Sequence, residues 1–239
     1  IVSIKDYAQT FDTNNCTISA NGSEKIENLT LDLVLDTEGI AVTLIYADAT
    51  RGWQAVNSNE ITNIVKFVSA SGGTETTSGD FKIHTFTGPG TFTVSCAGNT
   101  GGSNLVDYMI VAGGGGGGGA SSAGGGGAGG FRLANSTCMS GPQTSPLATP
   151  TALPVSVQDY PITVGGGGSG GPSSTPSVGA NGSNSVFSTI TSAGGGFGAS
   201  FPGPGSAGPG GSGGGVGNTG TIGAGNTPPV SPPQGNNGG

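Results

Sequence analysis

Charged residues are almost missing from the second half of this chain. The sequence of 239 residues contains 6 Lys plus Arg and 13 Asp plus Glu, but residues 113–239 hold only Arg132 and Asp159. Residues 1–112 therefore carry the whole formal net charge of −7. Affinity for nucleic acid comes mainly from clustered Lys and Arg, and the six basic residues here are scattered. We therefore expect no nucleic-acid partner.

Long apolar runs are also lacking. Because no stretch of eighteen or more apolar residues occurs, we expect no membrane insertion. The first residues lack the charged and apolar regions of a signal peptide. The sequence also lacks an initiating Met and ends in GNNGG, so we expect a processed piece of a longer protein.

The side chains of common catalytic and metal sites are few. His84 is the only histidine, and its place among phenylalanines in a predicted strand favours a structural or solvent-facing role over catalysis. No Lys follows Lys82, so the glycine-rich stretches lack the Lys of a P-loop. The acidic residues do not follow EF-hand spacing. We therefore predict no catalytic residue, no cofactor-binding residue, no metal ligand and a protein that is not an enzyme.

Cysteine is scarce and has no motif. Cys16, Cys96 and Cys138 are far apart and odd in number, and no CxxC pair occurs. We interpret them as small buried hydrophobic residues. One disulfide with a leftover thiol is the alternative.

Glycine is what the second half does contain, because 41 of the 52 glycines follow Ala112. Glycine loses more backbone freedom on folding than other residues and buries no side chain. Such a stretch is either disordered or held by dense backbone hydrogen bonds between close neighbours. Glycine does not recur at every third position, which excludes collagen.

Two β-patterned segments lie between the glycine blocks, LPVSVQDYPITV and SVFSTIT. A disordered linker needs no such pattern, so we favour an ordered domain. Pro161 favours an edge strand or a strand pair for the first segment. Polyglycine II helices packed with β strands are the ordered alternative, because their backbones exchange hydrogen bonds in several directions. At about 3.1 Å per residue, an extended tract 113–130 would span roughly 55 Å.

Short strands separated by Gly, Asn and Asp turns predict an all-β fold without an α-helix. Residues 1–57 are predicted as a small β domain of four or five antiparallel strands, two of them in NLTLDLVLD and IAVTLIYAD. Residues 58–112 are predicted as a β hairpin region, in which the GPG of FKIHTFTGPGTFTV reverses the chain. A largely buried strand, LVDYMIVAG, then leads into a glycine-rich domain at 113–239 with a Pro-rich C-terminal tail.

Aromatic residues in and beside the glycine blocks admit two interpretations. They either cap and seal the glycine-rich domain, or they lie on loops and stack on sugars or on a surface protein. On the second interpretation, the candidate receptor-contact residues are Phe131, Arg132, Tyr160, Phe197 and Phe201.

Three motifs in a fixed order resemble the glycine-rich domain of bacteriophage tail-fibre and tail-tip proteins. They are FTGPGTFTVSCAG with VDYMIVAGGGGGGG, then YPITVGGGGSGG, then GSNSVFSTITSAGGGFG, and they cover about residues 80–217. The earlier segment from DYAQTF to RGWQAV is similar to a small β repeat of tail-fibre proteins.

The resemblance implies a non-enzymatic virion component, commonly a homotrimer or other fibre assembly, that contacts other tail proteins. Its distal part would bind a host cell-surface glycan or outer-membrane protein. In some related adhesins, apical loops of a polyglycine II bundle contact the receptor, which here nominates residues 132–153, 173–183 and 201–210. The rival is a bacterial extracellular filament or surface-matrix structural protein. A carbohydrate-active enzyme ranks last, because it needs a carboxylate pair in a cleft.

Overall fold

A computed structural model describes residues 1–56, 66–98, 102–120, 122–134, 148–149, 151–202 and 205–239. These residues form short strands and no helix, so the predicted all-β class is confirmed. No helix in these ranges is long and apolar enough to cross a membrane. The strands are β1 (Val2–Lys5), β2 (Cys16–Ile18), β3 (Leu33–Leu35), β4 (Ala41–Asp48), β5 (Gly52–Ala55), β6 (Val68–Ser71), β7 (Thr74–Ser78), β8 (Phe81–Thr85), β9 (Gly90–Ala97), β10 (Leu105–Val106), β11 (Tyr108–Val111), β12 (Ser122–Ala123), β13 (Phe131–Ala134), β14 (Ala148–Thr149), β15 (Leu153–Pro154), β16 (Asp159–Thr163), β17 (Ser185–Phe187), β18 (Ile190–Ser192) and β19 (Ser200–Phe201).

The described chain divides into two compact units. The first comprises Ile1–Ser69 and Ser95–Asn104, and the second comprises Ala70–Val94 and Leu105–Gly239. A boundary after residue 57 falls in the segment 57–65, which lies outside the described residues, so the three-domain division stays a prediction. Cys16 and Cys96 are half-buried free thiols, and Cys138 also lies outside the described residues.

The first unit is built on two small antiparallel sheets, β1–β4–β5 and β2–β3. Alternation along β4 turns Val42 and Leu44 into the core, where they meet Ile26, Leu33 and Leu35. Burial of these side chains, together with that of Ile40, stabilises this unit.

The strand predicted in NLTLDLVLD is shorter in the structure. Only Leu33–Leu35 lies in a ladder, as β3, and Leu29 forms an isolated bridge with Ile26. Glu27 and Asn28 have positive φ angles of 51° and 68°, so the chain turns there. Leu29 and Leu31 consequently reach the same core from outside the ladder.

The hairpin of the second unit is not the one predicted. β8 pairs with β7 through the two-residue turn Gly79–Asp80, in which Gly79 has a φ of 57°. A two-residue turn that starts with positive φ matches the strand twist. The segment around GPG instead leads to another sheet, of order β18–β17–β16–β9–β6. The predicted pairing of β8 with β9 is therefore wrong.

Pro161 lies in an interior strand, not in an edge strand. β16 pairs with β9 from Asp159 to Ile162, but with β17 only from Ile162 onward. No residue of β17 lies opposite Pro161, so the ladder needs no backbone N–H from this residue on that side. Proline is therefore tolerated at position 161. SVFSTIT is a hairpin of two strands, because Ser188 with a φ of 55° turns β17 into β18.

β11 is less buried than predicted. Ile110 is buried, but Met109 is 68% exposed and Val111 is 52% exposed. Successive residues of a strand face opposite sides of its sheet, and only one side of the β11–β13–β14 sheet is well packed. The strand that enters the glycine-rich region is therefore half-buried.

Candidate functional site

Strands at one end of the second unit run directly into glycine tracts. β11 continues into tract A (112–119), β16 into tract C (165–171) and β18 into tract E (193–199). In the opposite direction, tract B (124–130) continues into β13 and tract D (177–183) into β17. These five tracts form the glycine lattice.

Hydrogen bonds in the lattice repeat at every third residue. The amides of Ala112, Gly115 and Gly118 in tract A donate to the carbonyls of Gly130, Gly127 and Gly124 in tract B. The amides of Gly113, Gly116 and Gly119 donate to the carbonyls of Ser183, Ala180 and Ser177 in tract D. Three residues per turn is the period of polyglycine II and polyproline II helices, whereas a β-strand alternates with a period of two. This pattern is the ordered alternative that the sequence predicts.

Tract E occupies the centre of the lattice. The amides of Gly195 and Gly198 donate to the carbonyls of Gly113 and Gly116 at 2.9 and 2.8 Å. The carbonyls of tract E accept amides from tracts B and D and from segment 208–211. Every residue of the tract except Phe197 is buried. The buried backbone groups of this charge-free region therefore find partners in other backbones.

The lattice requires glycine because a neighbouring backbone occupies the place of a side chain. A Cβ added to Gly195 would lie 2.7 Å from the nitrogen of Gly115 and 2.8 Å from the carbonyl carbon of Ala128, with the oxygen of Gly127 closer still. Real Cβ atoms essentially never approach within 3.0 Å. By contrast, a Cβ on Gly125 or Gly166 would meet nothing within 4 Å.

The tracts are shorter than the single extended tract 113–130 predicted. The chain reverses after Gly119, where Ala120 has a φ of 71°, so tracts A and B are antiparallel neighbours. At about 3.1 Å per residue, eight residues span about 25 Å. The estimate of 55 Å is therefore wrong, because it assumes no reversal.

The hydrogen-bond register gathers four turns at one end of the lattice, which we call the apex. Gly118 bonds to Gly124 and Gly119 to Ser177, so the turns that follow tracts A and C lie together. Tract E and segment 212–216 run parallel to each other and end there as well. β12 also pairs with β19 at this end. The described residues of the apex are 120, 122–123, 172–176, 201–202, 205 and 217–220.

The apex carries no charge. Arg132 in β13 and Asp159 in β16 are the only charged residues after 112, and both strands lie at the opposite end of the lattice, the base. The exposed apical groups are hydroxyls and amides of Ser173, Ser174, Thr175, Asn218 and Thr219, together with prolines. The Phe201 side chain is 37% exposed beside them. This surface can accept and donate hydrogen bonds and can stack one aromatic ring, but it cannot attract ions.

The structure separates the five candidate contact residues into two groups. Phe201 lies at the apex, and half-buried Phe197 lies on tract E nearby. Phe131, Arg132 and Tyr160 lie on strands of the base. Segments 173–183 and 201–210 begin at the apex. Segment 132–153 begins at the base, and most of it lies outside the described residues.

Tyr160 is sealed inside the base. Its ring packs against Phe92 and Phe187 at centroid distances of 6.4 and 6.0 Å, and the residue is 7% exposed. Its hydroxyl oxygen accepts the backbone amide of Ser156 at 2.8 Å. Hydrogen bonds from Ser156 and Gln158 outweigh burial and lower the pKa of Tyr160. The interpretation that such aromatics seal the domain fits the burial of Tyr160, and its selection as a receptor contact stays a prediction.

Phe131 and Arg132 are half-buried on β13. The amide of Phe131 donates to the carbonyl of Gln234 at 2.9 Å, which ties β13 to the C-terminal tail. Burial raises the pKa of Tyr108, and the charge and hydrogen bond of Arg132 offset part of that rise. Arg132 therefore has an internal partner in the base.

One apical turn, residues 217–220, was not nominated from the sequence. The dipeptide Asn218–Thr219 between glycines is a turn signal, but it follows directly on the block 203–217.

His84 has internal partners. It hydrogen-bonds through Nδ1 to the carbonyl of Gly72 at 2.8 Å and packs edge-on against Phe92. Among the described residues, no group of three or more His, Cys, Asp or Glu could hold a metal ion.

Comparison with protein families gives one match. A family model described as a glycine-rich domain matches residues 85–239, more than half of the chain. No curated protein and no solved structure matches the chain.

Proposed function

We propose that this chain, which belongs to the glycine-rich domain family, is a non-enzymatic tail-fibre protein of a bacteriophage virion that binds the host surface through its apex. The observation that supports this most directly is the register of the lattice, which collects four turns at one end. A lattice held by backbone bonds keeps its shape whatever side chains the turns carry. The turns are therefore free to match a receptor.

The chemistry of the apex favours a neutral partner. The apex presents hydroxyl and amide groups together with the exposed side chain of Phe201; the polar groups can hydrogen-bond to a cell-surface glycan, and the aromatic ring can stack on its sugar rings. A loop of an outer-membrane protein is the other host partner that this surface fits. Salt would affect either encounter little, because the apex is uncharged.

The remaining surface fits assembly. In this proposal the first unit and the base join the chain to other tail proteins and to copies of itself, most simply as a homotrimer. Met109 and Val111, exposed on β11, are apolar side chains that a neighbouring chain would cover. The same exposure favours the second candidate function, a bacterial extracellular filament. Helical polymers of the purified chain in electron micrographs would select the filament.

Binding of the purified chain to candidate host cells tests the proposal. Phe201→Ala removes the apical ring, and Val157→Ala removes a comparably exposed apolar side chain, 64% exposed, between β15 and β16. We expect Phe201→Ala to weaken binding by about tenfold or more, since aromatic anchors contribute upwards of about 1.4 kcal/mol, and Val157→Ala to change it little. Unfolding temperatures of both variants control for folding. Equal binding by both variants, or loss only in Val157→Ala, would contradict the proposal.

A further inference from the structure

The first unit contains a pocket beside the only tryptophan of the chain. Its volume is about 230 Å³. Pockets for drug-sized ligands measure about 300–1,000 Å³, so this pocket suits a ligand of one ring. Its apolar floor is formed by Ile18, Ile26 and Leu44, and the last two belong to the core of the unit.

One wall of the pocket is a fixed pair of side chains. Nε1 of Trp53 donates a hydrogen bond to Oε2 of Glu24 at 3.0 Å. The backbone holds the pair in place, because the Trp53 amide donates to the carbonyl of Lys25 and the Glu27 amide donates to the carbonyl of Trp53, both at 2.8 Å. Trp53 and Glu24 are both half-buried, so each keeps an accessible part.

The remaining lining residues are mixed, because Val2 and Ala20 are apolar and Ser19 and Asn21 are polar. Asn21 and Ser19 are exposed and line the opening. The amide of Glu24 donates to the carbonyl of Asn21 at 3.1 Å, which closes a turn between the two residues. The pocket therefore offers a carboxylate, a carboxamide and a hydroxyl together with an indole ring and apolar side chains.

This combination matches a sugar ring better than other small ligands. The C–H face of a sugar packs on an indole, and its hydroxyls pair with carboxylate, amide and hydroxyl groups. Among the described residues, neither Lys nor Arg lines the pocket, so a phosphate would lack the cation it prefers. Within the same part of the chain, Glu24 is the only lining carboxylate and already accepts a hydrogen bond from Trp53, so a metal ion or an ammonium group would find too few anionic ligands.

We propose that this pocket binds a single neutral sugar residue, with Trp53 as the stacking platform and with Glu24 and Asn21 as hydrogen-bond partners. The site lies in the first unit and involves no residue of the apex. Its test therefore does not depend on the proposed virion function.

Tryptophan emission gives a direct test, because Trp53 is the only tryptophan. The full chain is titrated with glucose, galactose and N-acetylglucosamine. Each sugar is added up to about 10 mM, which is about tenfold above a dissociation constant of about 1 mM. Glycerol serves as a solute that lacks the ring. The test variants are Asn21→Ala and Glu24→Gln, and the matched controls are Asn14→Ala and Glu38→Gln, at exposed positions outside the pocket.

We expect a saturable change in Trp53 emission with at least one sugar and none with glycerol. The apparent dissociation constant should rise at least about tenfold in Asn21→Ala and Glu24→Gln, and should stay unchanged in the two controls. Circular dichroism checks that all variants fold. Two outcomes would overturn the proposal: sugars that act no differently from glycerol, or a response that folded pocket variants retain in full.

Discussion

Replacing a glycine of the lattice by alanine should lower the stability of the second unit at a buried position but not at an open one. Gly195→Ala places a carbon on the hydrogen bond between the Gly115 amide and the Gly127 carbonyl, a bond of 2.8 Å. Backbone atoms of tracts A and B surround the new carbon, so no flexible side chain can move aside. Gly125→Ala places the same group where nothing lies within 4 Å.

The cost of Gly195→Ala follows from the bonds it breaks. Separating the tracts removes the bond from Gly115 to Gly127 and strains the bond from Gly127 to Gly196. A buried backbone group without a partner costs about 1–3 kcal/mol, and overpacking adds about 1–3 kcal/mol. We therefore expect a loss of roughly 2–6 kcal/mol, a large part of a typical stability of about 5–15 kcal/mol.

Gly125→Ala should act in the opposite direction. Its backbone does not have the left-handed conformation that penalises side chains. Replacing glycine at such a site stabilises by about 0.4–1 kcal/mol, because the unfolded chain loses freedom. Gly166→Ala, also without a neighbour within 4 Å, provides a second control in tract C.

Calorimetry of Gly195→Ala, Gly125→Ala and Gly166→Ala tests these expected changes in stability. The transition of the second unit should fall by on the order of 10 °C in Gly195→Ala, at about 2–4 °C per kcal/mol for a domain of this size. It should change by no more than a few degrees in the two controls. Equal shifts in all three variants would refute the argument, because a disordered or loosely packed region does not distinguish these positions.

Three further substitutions test other parts of the structure. Burial favours a higher pKa for Asp6, but hydrogen bonds from the amides of Gly39 and other residues outweigh it and lower the pKa below 3.8. The ionised Asp6 carboxylate therefore stabilises the fold above that pH, and this stabilisation is lost as pH falls through the lower pKa of the folded state. Asp6→Asn should consequently flatten the acid unfolding curve measured by circular dichroism. Gln234→Ala leaves the buried amide of Ala193 without its acceptor and should cost about 1–3 kcal/mol in denaturant unfolding; no loss would contradict its role as an anchor of the C-terminal tail. Tyr160→Phe should cost about 1 kcal/mol and leave host-cell binding unchanged, and reduced binding would return Tyr160 to the contact surface.

The fold class could be predicted because side-chain alternation is local. Val42 and Leu44 in β4 show a period of two that sheet formation requires, and the structure buries both. Strand pairing is less local. The partner of β8 depends on the conformation of Gly79, and GPG offered an equally good turn in the sequence. The length of β3 depends on positive φ angles at Glu27 and Asn28, which neither residue type requires.

The candidate site was predictable only in part. β-patterned segments between glycine blocks indicated order, but glycines carry no side-chain pattern, so the sequence does not show which carbonyl a given amide reaches. The register between tracts A and D, and hence the apex, depends on backbone contacts between residues far apart in the chain, which no residue type in the sequence specifies. The sequence left two interpretations open for Tyr160, a residue that seals the domain or one that contacts a receptor. Its alternation with Ile162 in β16 was the signal for burial.

Amide hydrogen exchange, resolved residue by residue in tract A, tests the central claim most directly. The amides of Gly113, Gly115, Gly116 and Gly118 donate to other tracts, whereas those of Gly114 and Gly117 make no backbone hydrogen bond to the described residues. Protection should therefore repeat with a period of three, with two slow amides followed by one fast amide. Uniformly fast exchange would contradict the lattice, and alternation with a period of two would replace it by an ordinary β-sheet.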